Sequence, residues 1–516
     1  MAGSPPISKL PQEIWTQILD PISPSGRASV LASSRSLQHS IEWLLYRHVD
    51  IDWIRPPLRQ VLALFRVIHQ RPDLAAQIEH LSVVASKVDY PGKDHDWDNE
   101  WVPPLFDGDW KDLSSLFQDE VKAAKDIVLR SQLPSSKSWI DALENGNPYA
   151  FVAIIVSQLH NLRSLRLDYT FVWQFGFPGL IVRHALISAP PNTLSRFSKL
   201  SSVEYGLNVP PPRGYNETVN RFKPIDAHPV CNTEQFAGWF YIPSLVSLQI
   251  WLQSLQGVGE EMSKQAGPSR LAHLANLKTF ALVESFITEK EVKDVLSHLS
   301  SVRSIHLGLN YPSQNKENGS FESSSRPPLR KQEQGVLFEG IMSIKDTVKH
   351  LSIGLELCPF YYVSHVNTLV HGSIRQGLIP FQGFLKKFPI LETAELPVVM
   401  LFGWDHGTAP QLADLLPSTI RKLCLRGNME FMADFQLGLE ESDMRVQRLI
   451  NDFLPCAHST APHLKTISIR VLHIYPPGEF RQECALPCQE SCEQLGLDIE
   501  INQINDHLSP GLWTAN

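Results

Sequence analysis

The sequence predicts an α/β fold: a short helical segment at the N-terminus, then an irregular solenoid of parallel strands. Strands are expected on the concave side and helices on the convex side. Three observations predict it. An apolar pattern at positions i, i+3, i+6 and i+8 recurs along the chain. Helical periodicity fills several of the intervals between its copies. A proline-started apolar helix stands ahead of the first copy. The 516 residues exceed what one layered core usually holds, but a repeat array escapes that limit because it grows by stacking.

The first element is Leu10–Leu19. Pro11 suits the first helical position, where an N–H is not needed. Glu13 falls in the first turn, where the helix dipole favours an anion. Ile14, Trp15, Ile18 and Leu19 recur at helical spacing and form one apolar stripe. Asp20-Pro21-Ile22-Ser23-Pro24 stops the helix. A second apolar segment runs through Val30, Leu31, Leu37, Ile41, Leu44 and Leu45 into the strand-like Tyr46–Ile51.

The array follows. Full copies of the pattern are Leu159/Leu162/Leu165/Leu167, Phe197/Leu200/Val203/Tyr205, Ile242/Leu245/Leu248/Ile250, Leu274/Leu277/Phe280/Leu282, Leu299/Val302/Ile305/Leu307 and Phe388/Leu391/Ala394/Leu396. Partial copies occur around Val83, Ile353, Leu425 and Ile469, with a candidate first copy at Trp43/Tyr46/Val49/Ile51 and a candidate last strand at Leu497/Ile499/Ile501. Two apolar residues separated by one residue make a short strand with one face inward. One unit cannot bury that face alone, so neighbours must stack. Strands at roughly 4.8 Å spacing would give an arc on the order of 50 Å. Helical patterns occupy Leu58–Gln70, Lys111–Leu133, Glu289–Leu299 and Asp443–Leu454.

Insertions interrupt the array at 87–112, 208–232 and 312–334. The first carries seven acids and Trp97, Trp101 and Trp110 within Asp89–Trp110. Its expected form is a solvated loop whose tryptophans pack on the flank of the array; the alternative is an aromatic, acidic lip for a basic partner. Pro312–Gln334 is too polar to form a core.

The spacing resembles the leucine-rich repeat. Asn310 and Asn428 fall on its Asn position, and Val88, Val172, Leu255, Ile287, Leu401 and Ile474 on its last apolar position. The N-terminal order resembles an F-box: a Leu-Pro start, an Ile/Leu-rich helix, a Pro-containing turn, then further short helices. Leu45-Tyr46-Arg47-His48-Val49 looks like the exit into the first repeat of fungal F-box proteins. Ser25–Ala28 and Ala32–Leu37 depart from the family's usual Asp-Leu and Val-Cys-basic-Trp runs.

The resemblance implies an F-box-like domain over 1–50, a leucine-rich-repeat solenoid over 51–505 and a tail over 506–516. It also implies a substrate-recognition subunit of a Skp–cullin–F-box ubiquitin ligase, in the cytoplasm and/or nucleus. Such a chain performs no covalent step itself. A Skp-type adaptor, and through it a cullin, would bind at Leu10, Pro11, Ile14, Ile18, Leu19, Leu31 and Leu37. A protein client would bind the outward strand positions: Arg166, Asp168, Glu204, Gln249, Trp251, His306, His350, Glu395, Arg426 and Arg470. The outward direction rests on the alternation of side chains along a strand. The alternative reading is a non-catalytic repeat scaffold whose N-terminal helices only cap the solenoid.

Composition narrows the classes. Hydrophobic residues make up 43% and charged residues 19%, which suits a packed chain. A net charge of −8 argues against nucleic acid as the main partner. Seven widely spaced cysteines and no secretory pattern in Met1–Lys9 read as a reduced intracellular chain. No apolar run is long enough for a membrane span. Gly257-Val258-Gly259 lacks the third glycine of a dinucleotide loop, and Gly403–Gly407 has no nucleophile. Cys484, Cys488 and Cys492 could line one helix face, which reads as buried packing ahead of a metal site. No enzyme chemistry, cofactor or metal is expected.

Overall fold

The computed structural model describes residues 10–19, 21–22, 26, 29–30, 32–33, 42–53, 57–85, 110–173, 175–208, 232–252, 274–285, 287–312, 335–358, 383–403, 409–426, 440–472 and 492–504. Leu31, Leu37, Trp97, Trp101, Asn428, Cys484, Cys488, the tail and most of the three insertions lie outside them. The chain is an α/β protein of parallel strands that follow one another in chain order, with helices between them. It divides into two compact units, Met1–Val209 with Glu234–Leu245, and Pro210–Thr233 with Val246–Asn516.

The first unit holds β1 (His48–Trp53), β2 (His80–Ala85), β3 (Ser164–Asp168) and β4 (Ser202–Leu207). β1 spans the expected boundary at residue 50. The inward pairs of the repeat meet in register across the strands. One ladder is Val49, Leu81, Leu165 and Val203, and the other is Ile51, Val83, Leu167 and Tyr205. From β2 to β4 each of these side chains is at most 1% exposed. Burying one such side chain contributes roughly 1.5–3 kcal/mol, so the two ladders are the core of the unit.

Helices cover this core. α1 (Gln12–Leu19) precedes β1, and α2 (Leu58–Gln70) fills the interval that its apolar spacing marks out. The expected helix over Lys111–Leu133 is two, α3 (Trp110–Leu116) and α4 (Gln118–Arg130). α4 is tied to α2 by Arg66, whose Nε donates to Glu120 at 2.5 Å while its guanidinium lies over the Phe117 ring at 4.5 Å. Trp110, counted in the first insertion, belongs to this packing. Its Nε1 donates to the Glu144 carbonyl at 2.7 Å, and its ring fills the space a Cβ at Gly146 would need.

Among the helices that periodicity did not mark are α5 (Ser136–Glu144), α6 (Pro148–Gln158) and α7 (Phe177–Ile187). α6 starts at Pro148 behind an Asn147 cap, whose Oδ1 accepts from Tyr149 N at 2.9 Å and Ala150 N at 3.2 Å. It is buried on nearly every side, against α2, α5 and α7. A helix enclosed all round shows no stripe.

The second unit holds β5 (Ser247–Ile250), β6 (Thr279–Ser285), β7 (Ser304–Pro312), β8 (His350–Cys358), β9 (Thr393–Pro397), β10 (Lys422–Arg426), β11 (Thr466–Leu472) and β12 (Asp498–Ile504). One apolar ladder runs unbroken through Leu248, Phe280, Ile305, Leu351, Ala394, Leu423, Ile467 and Ile499. Asn310 lies inside β7, paired in register with Glu356, rather than in a loop after the strand. α8 (Glu289–Leu296) opens with a capping box: Thr288 Oγ1 accepts from Glu291 N, and the Glu291 carboxylate accepts from Thr288 N. α9 (Val336–Ser343) packs on it so closely that a Cβ at Gly340 would lie 2.8 Å from Lys293 Cα. α10 (Glu440–Thr460) runs past Pro455, beyond the expected end at Leu454.

Candidate functional site

Two regions carry the residues expected to bind partners. The first is α1. Trp15 (4% exposed), Leu19 (2%) and Leu44 form a small core of their own, with Leu10, Ile22, Val30, Trp43 and Leu45 packed against it. Ile14 is 38% and Ile18 44% exposed, and Pro11 is exposed as well. The helix therefore has two apolar sides, where the spacing predicts one stripe. This corrects the expectation for Leu19: it is a core residue, because a shift of one position rotates a side chain about 100° around a helix. Leu10 is half-buried and supports the same core. The surface left open is Pro11, Ile14 and Ile18.

The second region is the strand face opposite the inward ladders. Alternation places the expected residues on it, but much of that face is closed. Arg166 is exposed and pairs with Glu204 at 2.8 Å between β3 and β4. Gln249 and His350 are half-buried. Asp168, Trp251, His306, Glu395 and Arg426 are buried, between 0 and 1% exposed, and the Arg470 side chain is 12% exposed. The expected solvent-facing row is thus wrong at Asp168, Trp251, His306, Glu395 and Arg426. Alternation fixes which face a side chain joins, and says nothing of what covers that face.

In the second unit these residues are joined to one another. His306 Nδ1 lies 2.8 Å from Ser352 Oγ, and Ser352 Oγ donates to Glu395 at 2.9 Å. Glu395 also accepts from Arg426 at 3.1 Å and from Arg470 at 2.5 Å. The chain of contacts crosses β7, β8, β9, β10 and β11. Burial alone would push the Glu395 carboxyl up; the Arg426 and Arg470 guanidiniums outweigh it and hold it below its ordinary value. Cys424 shares this face, and burial pushes its thiol up to about 12. Ser352, Cys424 and Ser468 occupy the position between the inward residues, beside Glu395 in register. The sequence reading passed over them for their charged or aromatic neighbours.

Asp168 forms a separate centre in the first unit. Its carboxylate accepts from Trp53 Nε1 at 2.7 Å, Ala85 N at 2.8 Å and Thr170 N at 2.9 Å, and from the Thr170 hydroxyl. These donors tie β1, β2 and β3 to the short helix Tyr169–Trp173 that follows β3. Burial pushes the carboxyl up to about 6 despite them.

Among the described residues, no cluster of three or more His, Cys, Asp or Glu could hold a metal ion, and no helix is long and apolar enough to cross a membrane. Cys492, the described member of the predicted cysteine stripe, is buried. No protein-family model matches this chain, and no curated protein matches it.

Proposed function

We propose that this chain is a substrate-recognition subunit of a Skp–cullin–F-box type ubiquitin ligase. In this reading the N-terminal helices are an F-box and the strands and helices after them are a leucine-rich-repeat solenoid, with strands concave. A Skp-type adaptor docks on Pro11, Ile14 and Ile18, and the array holds a protein client in the cytoplasm or nucleus. The chain makes and breaks no covalent bond. It supplies two surfaces, and other subunits transfer ubiquitin.

One observation carries the reading. α1 spends Trp15 and Leu19 on a core of its own and leaves Ile14 and Ile18 open. A helix that only capped a solenoid would turn its whole apolar surface inward, since exposed isoleucines gain nothing from solvent. Two adjacent aliphatic side chains one helical turn apart suit a hydrophobic anchor for a partner protein.

The test is capture of a purified Skp-type adaptor by the full chain. The double change Ile14→Ala with Ile18→Ala should weaken capture by about 2 kcal/mol or more, the scale of interface anchors. Thermal unfolding of the array should be unchanged. Wild-type capture by the double variant, or none by the native chain, would leave the scaffold reading in its place.

A further inference from the structure

Every strand of the second unit from β6 to β11 is entered through the same bonded step. Lys278 N donates to Val246 O at 2.8 Å, Arg303 N to Lys278 O at 2.8 Å, and Lys349 N to Arg303 O at 2.8 Å. Glu392 N donates to Lys349 O at 2.8 Å, Arg421 N to Glu392 O at 2.7 Å, and Lys465 N to Arg421 O at 2.9 Å. β12 departs from this step: Asp498 N donates to Lys465 O at 2.8 Å, but Asp498 is the first strand residue, in register with Thr466. The other bonds place one residue per strand in a single row along the strand-entry edge. Five are cations, Lys278, Arg303, Lys349, Arg421 and Lys465, and one is an anion, Glu392. None of the six is buried. A surplus of positive charge thus runs along one edge of a chain whose net charge is −8.

The row is unevenly neutralised. Glu392 sits between Lys349 at 2.7 Å and Arg421 at 3.7 Å. Lys278 Nζ donates to the Ala275 carbonyl at 3.3 Å and is in no ion pair, and Arg303 and Lys465 likewise have no ion pair among the described residues. The corresponding row of the first unit has no such surplus. There Glu79 stands between Arg47 at 3.0 Å and Arg163 at 3.4 Å, and the next residue is the neutral Ser201. Cations spaced by the strand separation and left open to solvent are normally dispersed to limit mutual repulsion. Here backbone hydrogen bonding fixes them side by side.

We propose that this strand-entry edge is a docking surface for an acidic, extended segment of a protein partner. The proposal rests on the reading of the array as the client-binding part, and assigns the client's chemistry. It also relocates the contact: the strand face on which a client was expected is closed at His306, Glu395 and Arg426, whereas the edge beside it is open. From β6 to β11 the row covers about 24 Å at 4.8 Å per strand, the reach of about seven residues of extended chain. A polypeptide suits the row better than a nucleic acid. Glu392 interrupts the row, and a peptide can place a neutral or basic side chain opposite it, whereas a phosphate backbone carries charge at every unit.

The experiment uses the full chain and a fluorescent peptide of about ten residues, glutamate at every second position, followed by anisotropy at low and raised salt. Its control replaces each glutamate by glutamine. The acidic peptide should bind, weaken with salt and outcompete the control. The changes Lys278→Glu, Arg303→Glu and Lys465→Glu together should weaken it by about tenfold or more. The milder glutamine triple at the same positions should lie between, with its melting curve superimposed on the native one. Glu392→Gln should tighten binding, since it releases Lys349 and Arg421, a gain that loss of folding would not produce. Equal binding of the glutamine peptide, or indifference to both the triple change and Glu392→Gln, overturns the proposal. Tighter binding of a single-stranded oligonucleotide, lost in the triple variant, reassigns the edge to nucleic acid and also overturns it. Adaptor capture by the same preparations is scored separately: its failure sinks the F-box reading, while the peptide titration alone judges the edge.

Discussion

Arg426 is a full positive charge with no exposed surface, and Glu395 is its buried counterpart. Taking both from water is costly, and the pair is tolerated because Arg470 and Ser352 add further bonds to the same carboxylate. Arg426→Met keeps much of the volume and leaves Glu395 under-compensated. It should destabilise the second unit by about 3–5 kcal/mol in urea unfolding; a change under about 0.5 kcal/mol, the size of an ordinary surface substitution, would refute the pairing. Two of the buried carboxylates, Glu395 and Asp168, predict opposite responses to pH. Glu395 is held below its ordinary value, so its contribution is present above that value and is lost as pH falls. Asp168 is raised from 3.8 to about 6. Its folded form binds the proton more tightly than its unfolded form, so its contribution is complete below 3.8 and is lost as pH rises through 6. The shift of about two pH units corresponds to about 3 kcal/mol. Unfolding of the first unit, followed by fluorescence of its tryptophans, should therefore shift to higher denaturant as pH is lowered from 7 towards 4. Asp168→Asn should flatten that dependence, and an unaltered slope in this variant would assign the effect elsewhere.

At the scale of elements, what periodicity could show was legible. Every strand expected around an i+6, i+8 pair is present, because two inward side chains separated by one residue leave a strand few other ways to bury them. α2 begins at Leu58 and ends at Gln70 as its spacing implies. The inward positions can be tested directly. Leu165→Asp or Leu307→Asp buries an unpaired charge and should unfold or aggregate the unit that holds it, while Arg166→Asp on the same strand as Leu165 should leave expression and melting nearly unchanged. Equal tolerance of all three would argue against stacked ladders. What escaped the reading has physical causes. α6 is apolar on all sides, so no stripe marks it. α10 continues past Pro455 because the packing of Ala457 and Ala461 holds the last turns although the ring removes one backbone donor. In the candidate site, α1 was read as one stripe although its two apolar sides serve different contacts, and only packing against Leu44 tells them apart. The covered strand face was illegible for a related reason: hydropathy marks what must be buried, and a charged residue buried among partners leaves no mark.

On the scale of the molecule, each unit is built by repetition, and among the described residues the backbone ladder of each strand joins it only to its neighbours in chain order within the unit. No backbone ladder among the described residues skips a rung; only side-chain bonds such as Trp53–Asp168 and Arg470–Glu395 do. Such an arrangement has a mechanical signature. In folds whose terminal strands lie side by side, tension loads many bonds at once and the structure breaks in a single event. Here tension on the two ends reaches one rung at a time, and the rungs beyond it stay relaxed until it gives way. Drawn out in an optical trap, each unit should lengthen through a series of small steps at low force and wind back as the load is eased. A protein with this construction acts less as a clamp than as a spring that yields in increments.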